Sequence, residues 1–422
     1  MPQINPHIIN LKESATLAIN QKARKARAKG EDVYHFGFGQ SPFPVHKNIQ
    51  KALCDHASEK DYLPTLGLPA LREKISEFYQ KEFGYNLDPS CICIGPGSKE
   101  LIFQALFVLE GSVIIPAPSW VSYGPQVNLR GKHITRILTK FENGYKLCPD
   151  ELEKTCVSLS EPQKILIINS PNNPTGAVYS DEEISALVDV CREQNVLVVS
   201  DEIYSLIDFS EKRKKGFMHF YPEGTLLTAG LSKSHSAGGY RLGFLASSPQ
   251  LEPIIKALST LVSETFSSVS APTQYAAVVA YSQDPEVRQY VDRCTAIHQC
   301  VGSYLYKRLL EMDLNVCPPD GAFYLYPNFN SFSEAIENRI QSKNVKKLCQ
   351  HLYDDYRVAV LPGTDFYGLE NDLSVRMAYV DYDGEKVFHC AETEELNDQF
   401  VEKNCPSVAQ GCDQIKKFLD SL

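Results

Sequence analysis

Residues 165–204 read ILIINSPNNPTGAVYSDEEISALVDVCREQNVLVVSDEIY, and this stretch decides the fold. Ile165–Ile168 and Val196–Ser200 are apolar throughout, as strands covered on both faces are. Between them Asp181–Glu193 has helical spacing. Asp181 follows Ser180 and precedes Glu182 and Glu183, a helix start that suits the positive end of the dipole. Working outward, Cys91–Ile94, Val113–Ile115, Leu226–Ala229 and Leu242–Ala246 also read as strands, with helices at Leu101–Leu109 and Pro249–Val262. This βαβα order predicts an α/β protein whose sheet is mainly parallel with helices on both faces. Residues 47–300 would form that large domain.

The remainder has another rhythm. Residues about 284–313 predict one long helix, with Val287, Tyr290, Val291, Cys294, Ile297 and Val301 apolar at helical spacing. Short strands at Ala322–Tyr326, Val358–Leu361 and Ser374–Ala378 follow, interleaved with helices. Residues 301–422 together with 1–46 are expected to form a smaller α+β domain. Asp383–Ala409 is polar and poorly patterned, and reads as a surface excursion before a last helix, Gln414–Leu422.

The 422 residues carry a net charge of −10 and are 43% hydrophobic, values that fit a globular chain of two or three domains. The acidic balance argues against nucleic acid as a partner. Met1–Gly30 holds no apolar run of signal-peptide length. Its basic cluster, Lys22, Arg24, Lys25, Arg27 and Lys29, reads as the solvated face of a helix with Leu17, Ala18 and Ile19 on the other side. No stretch is apolar enough to span a membrane. The 13 cysteines include no CxxC pair and suit free thiols in a reducing cytoplasm. No metal site is expected, since His and Cys never converge at zinc spacing.

Ligands of open α/β sheets bind beyond the carboxyl ends of the strands, and four predicted strand ends carry unusual residues. Gly95-Pro96-Gly97-Ser98-Lys99 opens a helix, whose free N–H groups suit an anion. Asn169–Gly176 is a rigid polar loop rich in asparagine and proline. In Ser200-Asp201-Glu202-Ile203-Tyr204, two adjacent carboxylates end a buried strand and imply a fixed cationic partner. Gly230-Leu231-Ser232-Lys233-Ser234 narrowly misses the GxSxG nucleophile elbow. Lys233 is therefore favoured over Ser232 as the reactive group, a lysine able to form a Schiff base.

Taken together these segments resemble the class I aminotransferases, of the fold-type-I pyridoxal phosphate enzymes. Asn169–Tyr179 resembles that family's NPTG segment, Ser200–Tyr204 its DEIY segment, and Ser232-Lys233 through Arg241-Leu242-Gly243 its SK…GxRxG segment. The resemblance runs from about Tyr34 to Tyr379. It implies a mainly parallel seven-stranded sheet with a smaller domain, and pyridoxal 5′-phosphate as cofactor. By the same resemblance Lys233 holds the cofactor and moves the proton, and Asp201 pairs with the pyridine nitrogen. Asn173 and Tyr204 bond the ring 3′-oxygen, and Trp120 stacks on the ring and contacts substrate. Gly97, Ser98, Lys99 and Arg241 bind the phosphate, with Tyr62 reaching the phosphate of the neighbouring subunit of a homodimer. Arg376, helped by the Gly39 N–H and Asn173, grips the substrate α-carboxylate. Gly321–Tyr324 and Leu361–Phe366 look like elements that close over substrate. One departure stands out: Gly230 occupies the position where many relatives have a phosphate-binding serine, so that Thr228 or Ser232 substitutes or one donor is missing.

Residues 259–282, where one branch supplies a second arginine for dicarboxylates, contain none. Phe38, Phe43 and Tyr123 are candidates for an apolar side-chain pocket. The resemblance thus implies a ping-pong transaminase moving an amino group between an L-amino acid (aspartate, aromatic or neutral) and a 2-oxo acid such as 2-oxoglutarate. A C–S β-lyase, a cyclopropane-forming synthase and a non-enzymatic regulator on the same scaffold are the alternatives.

Overall fold

The computed structural model describes residues 3–9, 11 and 15–422. The reading of Met1–Gly30 therefore falls partly on Met1, Pro2, Asn10 and Lys12–Ser14, outside the described residues. The central sheet has seven strands in the order Ile92–Gly95, Gly243–Ser247, Thr225–Gly230, Val196–Asp201, Lys164–Asn169, Ser112–Ala117, Ile134–Leu138. Only Gly243–Ser247 runs antiparallel to its neighbours. The Val196–Asp201 and Thr225–Gly230 strands are buried at every residue, which is why they read as unbroken apolar runs. Ile134–Leu138 was not anticipated. It is the sheet edge, and only Ile137 is fully buried there, so it lacks that pattern.

The Asp181–Glu193 helix forms over the expected residues because its start is over-determined. Ser180 Oγ accepts from the Glu183 N–H at 3.2 Å, and the Glu183 carboxylate accepts from the Ser180 N–H at 2.7 Å. The long helix spans Pro285–Leu310, capped by Asp284, whose carboxylate accepts from the Glu286 N–H. Small strands beyond it pair across the chain. Tyr34–His35 lies parallel to Val358–Ala359, and Leu361–Pro362, Val375–Ala378 and Tyr324–Leu325 form an antiparallel trio.

Two expectations are corrected. Asp383–Ala409 is no excursion: it folds as helices Gly384–Cys390 and Asp398–Asn404 and the start of Pro406–Leu419. Val387, Phe400, Val401, Cys405 and Val408 are buried in the same core as the long helix. Helices of seven residues offer too few apolar positions to show a period. Their visible signals were the caps Asp383 and Asn397, which accept from the Lys386 and Phe400 N–H groups. The N-terminal helix, Ala15–Arg27, does form, with its basic residues in solvent. It packs through Ile19, Ala23 and Ala26, while Leu17 and Ala18 are exposed. The spacing i, i+4, i+7 through alanines marks the buried stripe, which a search for larger side chains overlooks.

Candidate active site

Asn169, Asp201 and Gly230 end three adjacent parallel strands, with Asn169 in register with Asp201 and Asp201 with Thr228. The chain leaves each strand at the same sheet edge, so the loops that follow converge there. They wall a cavity of about 320 Å³ that Ser98, Lys99, Trp120, Asn173, Asp201, Tyr204, Lys233, Arg241, Gly39 and Arg376 all line. Ten of the twelve residues singled out in the sequence thus meet in one place. Gly97 lies just behind, as the left-handed N-cap (φ 92°) of the Ser98–Val108 helix. Tyr62 lies apart and is 91% exposed.

At the floor, Asp201 is buried and accepts from Tyr123 Oη at 2.8 Å and Thr228 Oγ1 at 3.4 Å. Burial pushes its pKa up to about 6, against the pull of these hydrogen bonds and of Lys233. Lys233 Nζ donates to the Gly39 carbonyl at 2.8 Å. Burial, and then the Arg376 charge, lower its pKa to about 8, within reach of the neutral, nucleophilic amine. Gly39 has no room for a side chain, because a Cβ there would collide with the Tyr324 hydroxyl. That hydroxyl is 2.7 Å from Tyr204 Oη, and burial holds both phenols protonated.

Arg376 is fully buried. Its guanidinium donates to the Gly37 carbonyl at 2.6 Å and, more weakly, to Asn173 Oδ1 at 3.4 Å. It lies over the Tyr324 and Phe366 rings, at 4.9 and 5.1 Å. Among the described residues its buried Nε has no hydrogen-bond partner, and burial lowers its pKa against the pull of the Tyr324 and Tyr204 phenols and the Asp365 carboxylate. A buried cation left so under-paired is poised for an incoming anion.

The opposite end is also cationic. The Ser98 helix start, Lys99 and Arg241 meet there, and burial and the Arg241 charge lower the Lys99 pKa. Arg241, with a left-handed backbone (φ 53°), is held by the Gly238 and Pro96 carbonyls at 2.9 and 3.0 Å. Gly230 admits no serine, since a Cβ would sit 2.7 Å from the Leu242 carbonyl oxygen and 2.8 Å from Gly243 Cα. Of the two substitutes considered, Ser232 lines the cavity, whereas Thr228 turns to Asp201.

Other expectations fail on geometry. Phe38 is at the cavity wall, but Phe43 packs against His298, Tyr382 and Phe388, and Tyr123 is buried beneath Asp201. Nor, among the described residues, does Glu202 have a cationic partner. It is buried between Ser200 Oγ (2.9 Å) and Tyr85 Oη (3.1 Å), pointing away from the cavity because side chains alternate across a strand end. Burial pushes its pKa up to about 7. A carboxyl raised in the fold costs no stability below the unfolded value of 4.5, and its full cost is present above 7. Glu202→Gln is therefore expected to match the wild type near pH 4.5 and to be more stable by about 3 kcal/mol at pH 8. Thermal unfolding of both proteins across this range checks it, and a gap that shrinks as pH rises would contradict it.

Sequence reading missed Tyr123 and Tyr324 as supports of Asp201 and Tyr204, although both lie in segments already singled out. It also missed Thr16 and Leu17 at the cavity wall. Leu17 had been assigned to a packed face.

The donor set fits pyridoxal phosphate. A lysine with lowered pKa and a buried carboxyl lie between an anion-binding helix start and an under-paired arginine. Comparison with known proteins agrees. The family profile for aminotransferase class I and II matches residues 31–387. The aspartate aminotransferase of Bacillus subtilis is 35% identical over 378 residues, covering 87% of this chain and 92% of its own. An asparagine–oxo-acid transaminase of Streptococcus mutans is 30% identical, covering 90% and 95%. The aspartate aminotransferase of Thermus thermophilus, solved with maleate, superposes with a TM-score of 0.84 at 25% identity, over 99% of this chain and 100% of that one. This chain belongs to the class I and II aminotransferases, the pyridoxal phosphate-dependent transaminases of fold type I.

Proposed function

We propose that this aminotransferase takes aspartate as a main amino donor and 2-oxoglutarate as acceptor, with neutral or aromatic amino acids as further donors. The names of its relatives support the first part. Phe38 and the exposed Leu17 at the cavity wall support the second. The observation that carries the assignment of roles is that Lys233, Asp201 and Arg376 face one cavity.

When bound, the cofactor supplies a reactive aldehyde carbon and an electron-withdrawing ring. Lys233 holds it covalently and, once released, carries a proton to and from the substrate Cα; its lowered pKa suits both tasks. Asp201, kept in place by Tyr123 and Thr228, pairs with the ring nitrogen. Such a pairing would favour the carboxylate form of Asp201. Asn173 and Tyr204 would bond the ring oxygen, and Trp120 would stack on the ring and border the substrate. Gly97, Ser98, Lys99 and Arg241 hold the phosphate, with Ser232 in place of the donor that Gly230 cannot supply. Arg376 takes the α-carboxylate in a bidentate grip beside Gly39 and Asn173. Residues 1–46 and 301–422 then close over the large domain, 47–300, and exclude water.

Adding an amino donor to loaded protein, without acceptor, tests the reading. Spectral conversion to the amino form of the cofactor, with one oxo acid released per site, supports it. Release of ammonia with pyruvate would indicate elimination instead.

Tyr62 is a large aromatic that is 91% exposed. This fits a cytoplasmic homodimer in which Tyr62 reaches the partner's phosphate site. Tyr62→Phe is then expected to weaken cofactor retention by about tenfold, the loss of one charge-assisted hydrogen bond. Equilibrium dialysis measures this, and a fully active monomer in sedimentation would refute it. Among the described residues no helix is long and apolar enough to cross a membrane.

A further inference from the structure

Phe366 and Tyr367 are consecutive, yet they serve opposite sides of the cavity. The buried Phe366 ring lies 5.1 Å from the Arg376 guanidinium, and the Phe366 carbonyl accepts from the Ser119 N–H at 3.2 Å. Tyr367 reaches the other way. Its hydroxyl accepts from the Gly124 N–H at 2.7 Å. It also faces the Val121 and Trp120 carbonyls, at 3.0 and 3.3 Å, and has one proton to donate between them. The Tyr367 carbonyl in turn accepts from Arg136 Nη1 at 3.0 Å. One phenol therefore gathers three backbone groups of the Trp120–Gly124 segment.

That segment carries two of the site's side chains. Trp120 stands at the cavity wall, and Tyr123 bonds Asp201 at 2.8 Å, the two rings meeting edge to face at 5.3 Å. The backbone of Tyr367 is left-handed, with φ of 72°. A bulky residue is disfavoured there, where glycine is at ease. Such an outlier is kept when the side chain does something that glycine cannot. Here that is the three-way grip, with the ring packed in the same apolar cluster as Trp120 and Tyr123.

We propose that Tyr367 is a positioning residue that couples Arg376 to Trp120. Engagement of a carboxylate by Arg376 moves the Phe366 ring against it, and the rigid turn through Tyr367 carries that movement to the Trp120–Gly124 segment. The stacking surface and the Tyr123 support of Asp201, both already in place, are thereby shifted when substrate is gripped. The inference rests on the assignment of Arg376 to the substrate carboxylate and of Trp120 to the cofactor ring.

Trp120 is the only tryptophan in the chain, so emission excited selectively at tryptophan, apart from the 22 tyrosines, reports this segment. The experiment titrates the loaded enzymes with succinate, a dicarboxylate that cannot react, and follows tryptophan emission. Wild type is expected to change emission as succinate saturates. Tyr367→Phe, which keeps ring and fold, is expected to lose most of that change and to lower kcat by about tenfold with a smaller effect on KM. Tyr367→Gly, which relieves the left-handed backbone, is expected to lose the response as well. A response and kcat at wild-type level in either variant would overturn the coupling. Arg376→Lys separates the two layers. If it binds succinate as well as wild type does, the carboxylate assignment itself fails. If it binds succinate weakly while Tyr367→Phe responds normally, only the coupling fails.

Discussion

Lys233→Ala is expected to leave no covalently attached cofactor and to reduce turnover by about 10⁴-fold or more, the upper range for removing a general base together with its nucleophilic role. The physical ground is the amine's environment. Burial and the Arg376 charge bring its pKa to about 8, so a useful fraction is neutral at physiological pH. Among the described residues, the only other lysine lining the cavity is Lys99, which stands over the Trp120 ring at 5.1 Å. It is the natural competitor for the adduct. Borohydride reduction followed by peptide mass spectrometry distinguishes the two. An adduct on Lys99 in the wild type would overturn the assignment.

The second large effect is expected at Arg376. Arg376→Ala should reduce kcat/KM for both amino and oxo substrates by about 30- to several thousand-fold, the 2–5 kcal/mol associated with truncating a buried, hydrogen-bonded charge partner. Both substrates present the same carboxylate, so both must suffer, and a donor-specific loss would contradict the role. Stability should move differently. The guanidinium is fully buried, with Nε unpartnered among the described residues and its pKa lowered by burial. Replacing it with methionine, of similar volume, is expected to leave the cofactor-free protein as stable or more so. A lower melting temperature for Arg376→Met would show that the residue serves the fold instead.

The sheet was legible because its central strands are buried on both faces and so appear as unbroken apolar runs. Val196–Asp201 and Lys164–Asn169 were placed to within a residue for this reason. Ile134–Leu138 escaped because an edge strand shows water one face. The Gly384–Cys390 and Asp398–Asn404 helices escaped because single turns of apolar contact carry no period. At the site, chemistry-bearing residues in compact motifs were read directly, among them Lys233, Asp201 and Asn173. Tyr123 and Tyr324 act through partners 78 and 120 positions away, and no local pattern encodes such a pairing. Glu202 was misread for a related reason. Sequence shows adjacency to Asp201, whereas the strand sends the two carboxyls to opposite faces.

The way Phe36 and Gly37 meet Arg376, Ala378 and Gly411 has a consequence for biosynthesis. The Gly37 carbonyl is held by Arg376, the Phe36 carbonyl by the Ala378 N–H, and the Phe36 ring lies against Gly411 of the last helix. The segment that presents Gly39 to Lys233 is therefore synthesised more than 300 residues before the segments it packs against. A nascent chain can complete its central sheet once residue 247 has emerged, but the Tyr34–Phe36 stretch lacks its packing partner until the Pro406–Leu419 helix is made. Ribosome-stalled chains ending before residue 411 should accordingly protect the sheet from protease while leaving the Tyr34–Gly39 segment cleavable.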